Sequence, residues 1–336
     1  MLQRRRRDLA GGAASQKGCP MHEYDEVPEE LLCILAEAAG EDNVLLAEPM
    51  SAHTTFKIGG PADALVLPPT TEALVKVLDV CAINDVPLTV IGNGSDLLVG
   101  DRGIRGVVVL LRDNLAKIDA DAGSWRVTAE AGALLRDVAL AAADAGLAGM
   151  EPLWGIPATV GGACFMNAGA YDSATGEVLE SAEVYVPSKQ GGRGSVHTFE
   201  ARDLKMGYRK SLVHDAGLIV LRATFKLAPG NEAVIRADMD DYRRRREDKQ
   251  PLELPSAGST FKRPEGHFAG KLIMDAGLAG MRVGGAQVSE KHCGFIVNAG
   301  GATARDVRGL IKQVQDEVKR QFGVELEPEV RMVGDF

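Results

Sequence analysis

The segment LTVIGNGSDLLVG (88–100) constrains the fold more than any other part of this chain. An apolar run of strand composition leads into Gly92-x-Gly94, the opening of a dinucleotide-binding crossover unit. Two features then break that pattern. Leu97 stands where the third glycine belongs, and the next segment is a glycine-rich turn into a second apolar run, GIRGVVVLL (103–111), rather than a helix. A Rossmann reading fails here. The loop keeps another route to phosphate, because successive N–H groups of small residues, Gly92 to Ser95, form an anion-holding nest. A lone Gly-x-Gly is weak evidence for it.

A second loop strengthens the case. PLWGIPATVGGACFMNAGAY (152–171) is too rich in Gly and Pro for a regular element, and Gly155, Gly161, Gly162 and Gly169 bracket Asn167 and Tyr171. Two glycine-rich loops in one half of a chain suit a long cofactor held mostly through backbone, and FAD fits that description. Two irregular structural turns remain the open alternative. A third stretch, GSTFKRPEGHFAGKLIMDAGLAGMRVGGAQVSEKHCGFIVN (258–298), alternates Gly, Lys, His, Gln and Asn with single apolar residues. Glycines let backbone approach a ligand, cations meet phosphate and amides read hydroxyls, so this pattern suits a large anionic, sugar-like molecule.

Composition narrows the classes of function. At 336 residues the chain has room for two or three domains. A net charge of -9 argues against nucleic acid as the main partner, since phosphate neutralisation needs clustered cations. The cysteines, Cys19, Cys33, Cys81, Cys164 and Cys293, are odd in number, widely spaced and without a CxxC. That is neither a disulfide framework nor a metal site, and reduced thiols point to the cytoplasm. No apolar run is long enough to span a membrane. The start, MLQRRRRDLAGGAASQKGCPMH, lacks the apolar stretch of a signal peptide and reads, through residue 28, as a disordered arm, with Met21 as an alternative start.

Periodicity predicts helices over Glu29 to Ala39, Thr71 to Asn84, Leu134 to Ala145, Glu232 to Lys249 and Ala304 to Phe322. The last carries a capping box, Thr303 and Asp306, and a stripe of Val307, Leu310, Ile311, Val314 and Val318. The run RRRRED within 232–249 reads as a solvated helix face. Strands are expected over Pro87 to Ile91, 103–111, Trp125 to Glu130, Glu183 to Val186, Leu218 to Leu227 and the tail GVELEPEVRMVG, with HTTFKIGGPAD (53–63) as strand and turn. Pro229-Gly230 marks a domain boundary.

Seven segments, in order, carry a resemblance. TTFKIGGPAD (54–63), GNGSDLLVGDRGIRGVVV (92–109), GIPATVGGACFMNAGAY (155–171), GYRKS (207–211), GSTFKRPEGHFAGKLI (258–273), GGAQVSEKHCGFIVN (284–298) and LEPEVRMVG (326–334) resemble the UDP-N-acetylenolpyruvoylglucosamine reductase family of bacterial flavoenzymes. The resemblance implies an α+β fold: a FAD-binding domain of the vanillyl-alcohol-oxidase type over 29–228, in two α/β subdomains split near 110, then a smaller α+β substrate domain over 229–336. With no room for an insertion between Arg209 and Ser259, the chain is similar to the shorter subclass that lacks a substrate-covering tyrosine loop.

It also implies NADPH-dependent reduction of UDP-N-acetylglucosamine enolpyruvate to UDP-N-acetylmuramate in peptidoglycan precursor synthesis, in the cytoplasm, by a monomer that binds neither nucleic acid nor membrane. Arg209, Ser259 and Glu329 match the family's catalytic residues, with Ser259 as proton donor and Arg209 and a protonated Glu329 at the substrate carboxylate. Lys262 is a candidate to polarise Ser259. The cofactor set would be Gly92, Asn93, Gly94, Ser95, Asp96, Gly155, Ile156, Gly161, Gly162, Asn167, Gly169, Ala170 and Tyr171. Lys262, Lys271, Gln287 and Asn298 are candidates for the substrate, and no metal is implied. His292 reads equally as a ligand contact or a satisfied structural histidine, and Cys293 as a small buried thiol. Asp96 replaces a common Asn and Ala158 a common Gly, which bears on FAD contact. An oxidase of the same fold and a non-catalytic UDP-sugar-binding protein are the competing readings.

Overall fold

The computed structural model describes residues 27–188 and 191–336, so the expectations for the N-terminal arm through residue 26 and for Cys19 lie outside the described residues. Two sheets build the first part of the chain. One orders Val44–Pro49, Pro61–Val66, Ile104–Leu110 and Leu88–Ile91, with only the first pair antiparallel. Its two inner strands are buried on both faces, which is why GIRGVVVLL reads as a continuous apolar run rather than an alternating one. Ala64, Val66, Val107 and Val109 face one core, and Leu65, Val108 and Leu110 face another with Met50 and Ile104. The second sheet is wholly antiparallel, in the order Ser195–Glu200, Leu179–Val186, Ile219–Lys226, Arg126–Glu130 and Ile118–Asp121.

A single core joins the two sheets. The helices Glu29–Ala39, Thr71–Ile83 and Leu135–Asp144 pack between and over them, and Val127, Ala129, Ala182, Val184, Ala223 and Phe225 come from the second sheet. Tyr185, fully buried, ties the parts together. Its hydroxyl donates to Asp79 Oδ1 at 2.8 Å, and the Gly194 N–H donates to the same oxygen at 3.0 Å. A buried phenol needs such a partner.

The helix Glu232–Lys249 also belongs to this core. Ile235 and Met239 are buried in it, and the helix packs against Glu151–Leu153 and Leu135–Asp144. The run RRRRED, Arg243 to Asp248, is not wholly a solvated face, because Arg246 turns inward. Its Cδ and Nη1 lie 3.1 and 3.2 Å from where a Cβ on Gly155 would sit.

A separate core follows. The helix Ala304–Phe322 buries Val307, Leu310, Ile311, Val314 and Val318 against the short helix Ala269–Asp275 and the three strands Arg282–Val283, Ala286–Val288 and Ile296–Asn298. Thr303 and Asp306 close its capping box, and Gly323 ends it in the left-handed region at φ 70°. Phe56, Ile58 and Leu98 of the first part insert into this core.

Two sequence expectations are corrected. The stretch 152–171 does contain a regular element, the helix Val160–Met166, started by Thr159, whose Oγ1 accepts from the Gly162 N–H at 3.4 Å. Its glycines sit in close packing: a Cβ on Gly161 would lie 3.3 Å from Ala131, tighter than an ordinary contact. The tail is mostly not a strand. Only Arg331–Val333 forms a strand, in parallel with Leu97–Val99, and Pro328 adds a single antiparallel bridge to Phe261. The glutamates and prolines before it run as an extended segment held by single bonds, such as Lys262 N–H to Glu327 O at 2.8 Å.

Candidate active site

The parallel pairing of Arg331–Val333 with Leu97–Val99 sets the site, because it lays the segment carrying Glu329 beside the loop 92–96. The Arg331 N–H donates to the Asp96 carbonyl at 2.9 Å, and the Glu329 N–H donates to the Thr260 carbonyl at 2.8 Å. Thr260 is buried and clamped twice more. Its N–H donates to Gly294 O at 2.8 Å, and its Oγ1 accepts from the Ile296 N–H at 2.9 Å. Ser259 therefore stands one residue from a fixed point that also fixes Glu329. Gly258, at φ 75°, makes the turn that precedes it. The Ser259 hydroxyl is half-buried and has no hydrogen-bond partner among the described residues.

Arg209 comes from the opposite side. Gly207 and Lys210 exchange backbone bonds at 2.9 and 3.2 Å, which closes a tight turn and holds Arg209 at φ 54°. A left-handed arginine costs about 1–2 kcal/mol. Its Nε donates to Glu329 Oε1, and both side chains are largely buried, at 19% and 11% exposure. Its guanidinium also lies 5.0 Å from the Tyr208 ring centre. Ser211 anchors the turn by donating to Phe165 O at 2.7 Å.

The electrostatics are those of a dry, crowded site. Burial pushes the Glu329 carboxyl up, and the adjacent Arg209 offsets only part of that. Burial and the Glu329 charge push Asp96 up to about 8, against the pull of Arg209 and Arg331. Asp96 Oδ2 is buried with no hydrogen-bond partner among the described residues, although the residue as a whole is partly exposed. Arg331 is desolvated and lies 4.5 Å over the Phe165 ring centre.

The two glycine-rich loops meet. A Cβ on Gly92 would lie 2.1 Å from Thr159 Oγ1, and the Asn93 Nδ2 donates to Pro157 O at 2.8 Å. Gly94, at φ 61°, passes so close to His53 that a Cβ would lie 2.3 Å from its carbonyl oxygen. Thr55 links this loop to the segment before Ser259: its N–H donates to Gly94 O at 3.2 Å and its hydroxyl to Ser256 O at 2.6 Å. No backbone N–H from Asn93 to Asp96, Ser95 included, donates to another described residue. Four such N–H groups in a row suit the diphosphate of a dinucleotide. A bound group also suits the orphaned Asp96 oxygen, so the residues present fit FAD.

The remaining cofactor candidates divide. Asn167 is a strut: its Nδ2 donates to Gly207 O at 3.0 Å and its Oδ1 accepts from the Gly176 N–H at 2.8 Å. It fixes the Arg209 turn relative to the second loop. Gly169 and Ala170 pair with Ser173 and Ala174, where a Cβ on Gly169 would lie 2.4 Å from Ser173 O. Tyr171 stacks on Tyr242 at 4.7 Å and donates to its carbonyl at 3.1 Å, joining the loop to the long helix. The N–H groups of Ile156, Gly161 and Gly162 are engaged within the protein, at Leu153 O, Ala131 O and Thr159 Oγ1. Gly155 makes room for Arg246.

The four substrate candidates are each engaged with protein neighbours. Lys262 donates to Glu327 Oε1 at 2.5 Å, although its charge still reaches Glu329. Lys271 is exposed and paired with Asp275, and Gln287 accepts from Arg282 at 2.7 Å. Asn298 is committed to structure: its Nδ2 donates to Phe56 O at 3.2 Å, and its Oδ1 accepts from the N–H groups of Gly300 and Ala302. His292 accepts at Nδ1 from the Gly294 N–H at 3.1 Å and packs edge-on to Phe295, and burial lowers its basicity. Cys293 is buried. Sequence reasoning missed Arg331 and Arg246. Arg331 was signalled by its place two residues after Glu329, and Arg246 only by helical phase with Tyr242 in a uniformly charged run.

Among the described residues no group of His, Cys, Asp and Glu is placed to hold a metal, and no helix is long and apolar enough to cross a membrane. Comparison with known proteins agrees with the geometry. A FAD binding domain profile matches residues 62–189, and the profile of the UDP-N-acetylenolpyruvoylglucosamine reductase C-terminal domain matches residues 250–333. The chain is similar to the UDP-N-acetylenolpyruvoylglucosamine reductase of Clostridium beijerinckii, with 50% identity over 88% of this chain and 94% of that protein. The reductase of Agathobacter rectalis is 51% identical over 87% of this chain and 95% of its own length. Among solved structures, the Thermus caldophilus reductase superposes with a TM-score of 0.72 at 37% identity, covering 86% of this chain and 98% of that one. The chain belongs to the UDP-N-acetylenolpyruvoylglucosamine reductase family.

Proposed function

We propose that this chain is a cytoplasmic, NADPH-dependent flavoenzyme that reduces the enolpyruvyl ether of UDP-N-acetylglucosamine enolpyruvate to the lactyl ether of UDP-N-acetylmuramate, for peptidoglycan precursor synthesis. The observation that carries this reading is the buried Arg209–Glu329 pair, held beside Ser259 and at the end of the loop 92–96. FAD bound at the loop 92–96 would supply the hydride for the terminal vinyl carbon, with NADPH as its reductant. Negative charge then develops on the neighbouring carbon and spreads into the substrate carboxylate. Arg209 provides the fixed cation that such charge needs, in a site dry enough for it to count. Glu329 pairs with Arg209 in the substrate-free protein; burial shifts its carboxyl towards the protonated form, and once protonated it would donate a hydrogen bond to the same carboxylate. Ser259, whose hydroxyl is unengaged among the described residues, delivers the proton to carbon.

Gly92 to Asp96 hold the diphosphate of FAD through backbone N–H groups, and the Gly155–Tyr171 segment supports that loop from below. The division between cofactor and substrate parts lies near residue 250, after the helix Glu232–Lys249, because that helix packs in the first core. The strand Ile219–Lys226 passes to this helix with no inserted subdomain, as in the shorter subclass. Every residue of the reacting set comes from one chain, so a monomer suffices.

The test is an anaerobic visible spectrum of the purified protein. NADPH should bleach the flavin band and UDP-N-acetylglucosamine enolpyruvate should restore it. Bleaching without recovery overturns the substrate. A protein without a flavin band after FAD is supplied overturns the enzyme reading in favour of nucleotide-sugar binding alone.

A further inference from the structure

Asp96 and Glu329 are two carboxyl groups brought to one dry site by the pairing of 331–333 with 97–99. The charged groups facing Asp96 are Glu329 and Arg331 from the C-terminal segment and Arg209 from the 207–210 turn. Neither arginine hydrogen-bonds to its carboxyl group among the described residues. Arg209 gives its Nε to Glu329, and Arg331 lies over the Phe165 ring with no side-chain hydrogen bond to Asp96 among the described residues. Asp96 Oδ2 is left buried with no donor. A carboxylate is kept ionised in a protein by two or three such donors, and here there are none. The free N–H groups of Asn93 to Asp96 invite a diphosphate into the same loop, and its negative charge would sit beside Asp96.

We propose that Asp96 enters the FAD complex as a neutral carboxylic acid, so that cofactor binding at alkaline pH takes up a proton. The inference rests on the FAD reading above and adds a proton to it. Burial and Glu329 push Asp96 up to about 8 even without the cofactor's charge. A bound diphosphate raises it further. The sign follows from linkage: a group whose value is higher in the complex than in the free protein leaves affinity flat below the free value and weakens it above. FAD affinity is therefore level up to about pH 8 and falls above it, approaching tenfold per pH unit. Asp96→Asn keeps the shape, stays neutral and loses that dependence.

The experiment measures FAD release from the holoprotein by the gain in flavin fluorescence on dilution, from pH 6 to 9.5, for the wild type and Asp96→Asn. The expected result is a dissociation constant that rises only in the wild type and only on the alkaline side. In parallel, infrared spectra of wild-type holoprotein, with and without ¹³C-labelled aspartate, should show a neutral carboxylic acid band at neutral pH that shifts with the label. That second readout needs no variant, so a poorly folding Asp96→Asn does not decide the matter. Parallel pH curves in the two proteins, or no label-sensitive acid band, overturn the proposal. Wild-type protein that holds no flavin at any pH overturns the FAD reading, and this inference with it.

Discussion

Replacing Glu329 by Gln removes the charge of a buried pair while keeping its shape, and the structure sets the size of the effect. The two side chains are only 19% and 11% exposed, so Arg209 would be left as a desolvated cation. Breaking a fully buried pair costs about 3–5 kcal/mol. Arg209 keeps some solvent, which reduces the expected loss to about 2–3 kcal/mol. At roughly 2 °C per kcal/mol for a chain of this length, the melting temperature should fall by about 5 °C. Arg209→Met should cost a similar amount, because it leaves Glu329 unpaired. The double variant should cost clearly less than the sum, since neither charge then remains alone. Arg209→Gly should recover about 1 kcal/mol over Arg209→Ala, because the backbone at φ 54° favours glycine. Thermal unfolding of the wild type and these five variants, with turnover measured alongside, checks this, and turnover should fall about 10²–10⁴-fold in each single variant. Additive stability losses, with the double equal to the sum of the singles, would refute the argument that these side chains depend on each other.

Three other outcomes follow from the geometry. Asp96→Asn should stabilise the FAD-free protein increasingly between pH 4 and 8 and by a constant amount above. The Asp96 carboxyl, raised from 3.8 to about 8, favours the fold only while protonated, so its contribution is complete below the unfolded value and lost as pH rises through the folded one; urea midpoints at pH 5 and 8 measure the difference. Gly94→Ala should weaken FAD binding at least tenfold, since a Cβ meets His53 O at 2.3 Å and a left-handed alanine costs about 1–2 kcal/mol, and a FAD titration that matched the wild type would show the loop shape to be irrelevant. Ser259→Ala should leave flavin reduction by NADPH intact and slow its reoxidation by substrate about 10²–10⁴-fold in stopped-flow traces; equal slowing of both half-reactions would remove Ser259 from proton delivery.

How much of this was legible beforehand depended on the kind of force involved. The helix Ala304–Phe322 is written locally, in a 3.6-residue stripe, a capping box and a terminal glycine, and its bounds are as expected. The strand Ile219–Lys226 is equally plain from alternation. The helix Val160–Met166 was not legible, because its glycines answer to the backbone of Ala131 and the side chain of Thr159, which only the folded chain brings near. The tail misled for the opposite reason: its apolar alternation is real, but Leu326 and Val330 fill the second core without a neighbouring strand. Within the site, Arg209, Ser259 and Glu329 were visible through the family resemblance alone. Nothing local in their surroundings distinguishes them from a surface arginine, a turn serine and a solvated glutamate. The inward turn of Arg246 and the commitment of Asn298 to Phe56, Gly300 and Ala302 are long-range facts, and single-residue chemistry does not foretell them.

The pairing of Arg331–Val333 with Leu97–Val99 has a consequence for synthesis. The cofactor loop leaves the ribosome early, and the acid that completes the site leaves it late, with nearly the whole chain made in between. A nascent chain can fold its two-sheet core and can offer N–H groups to a diphosphate, but it has no Glu329 against Arg209. On the proposed assignment, the loop that would hold the cofactor is translated well before the glutamate that would complete the reacting set. A translation product cut short between residues 300 and 328 would keep the cofactor loop and lack the means to use it, which makes the last strand a check on completeness.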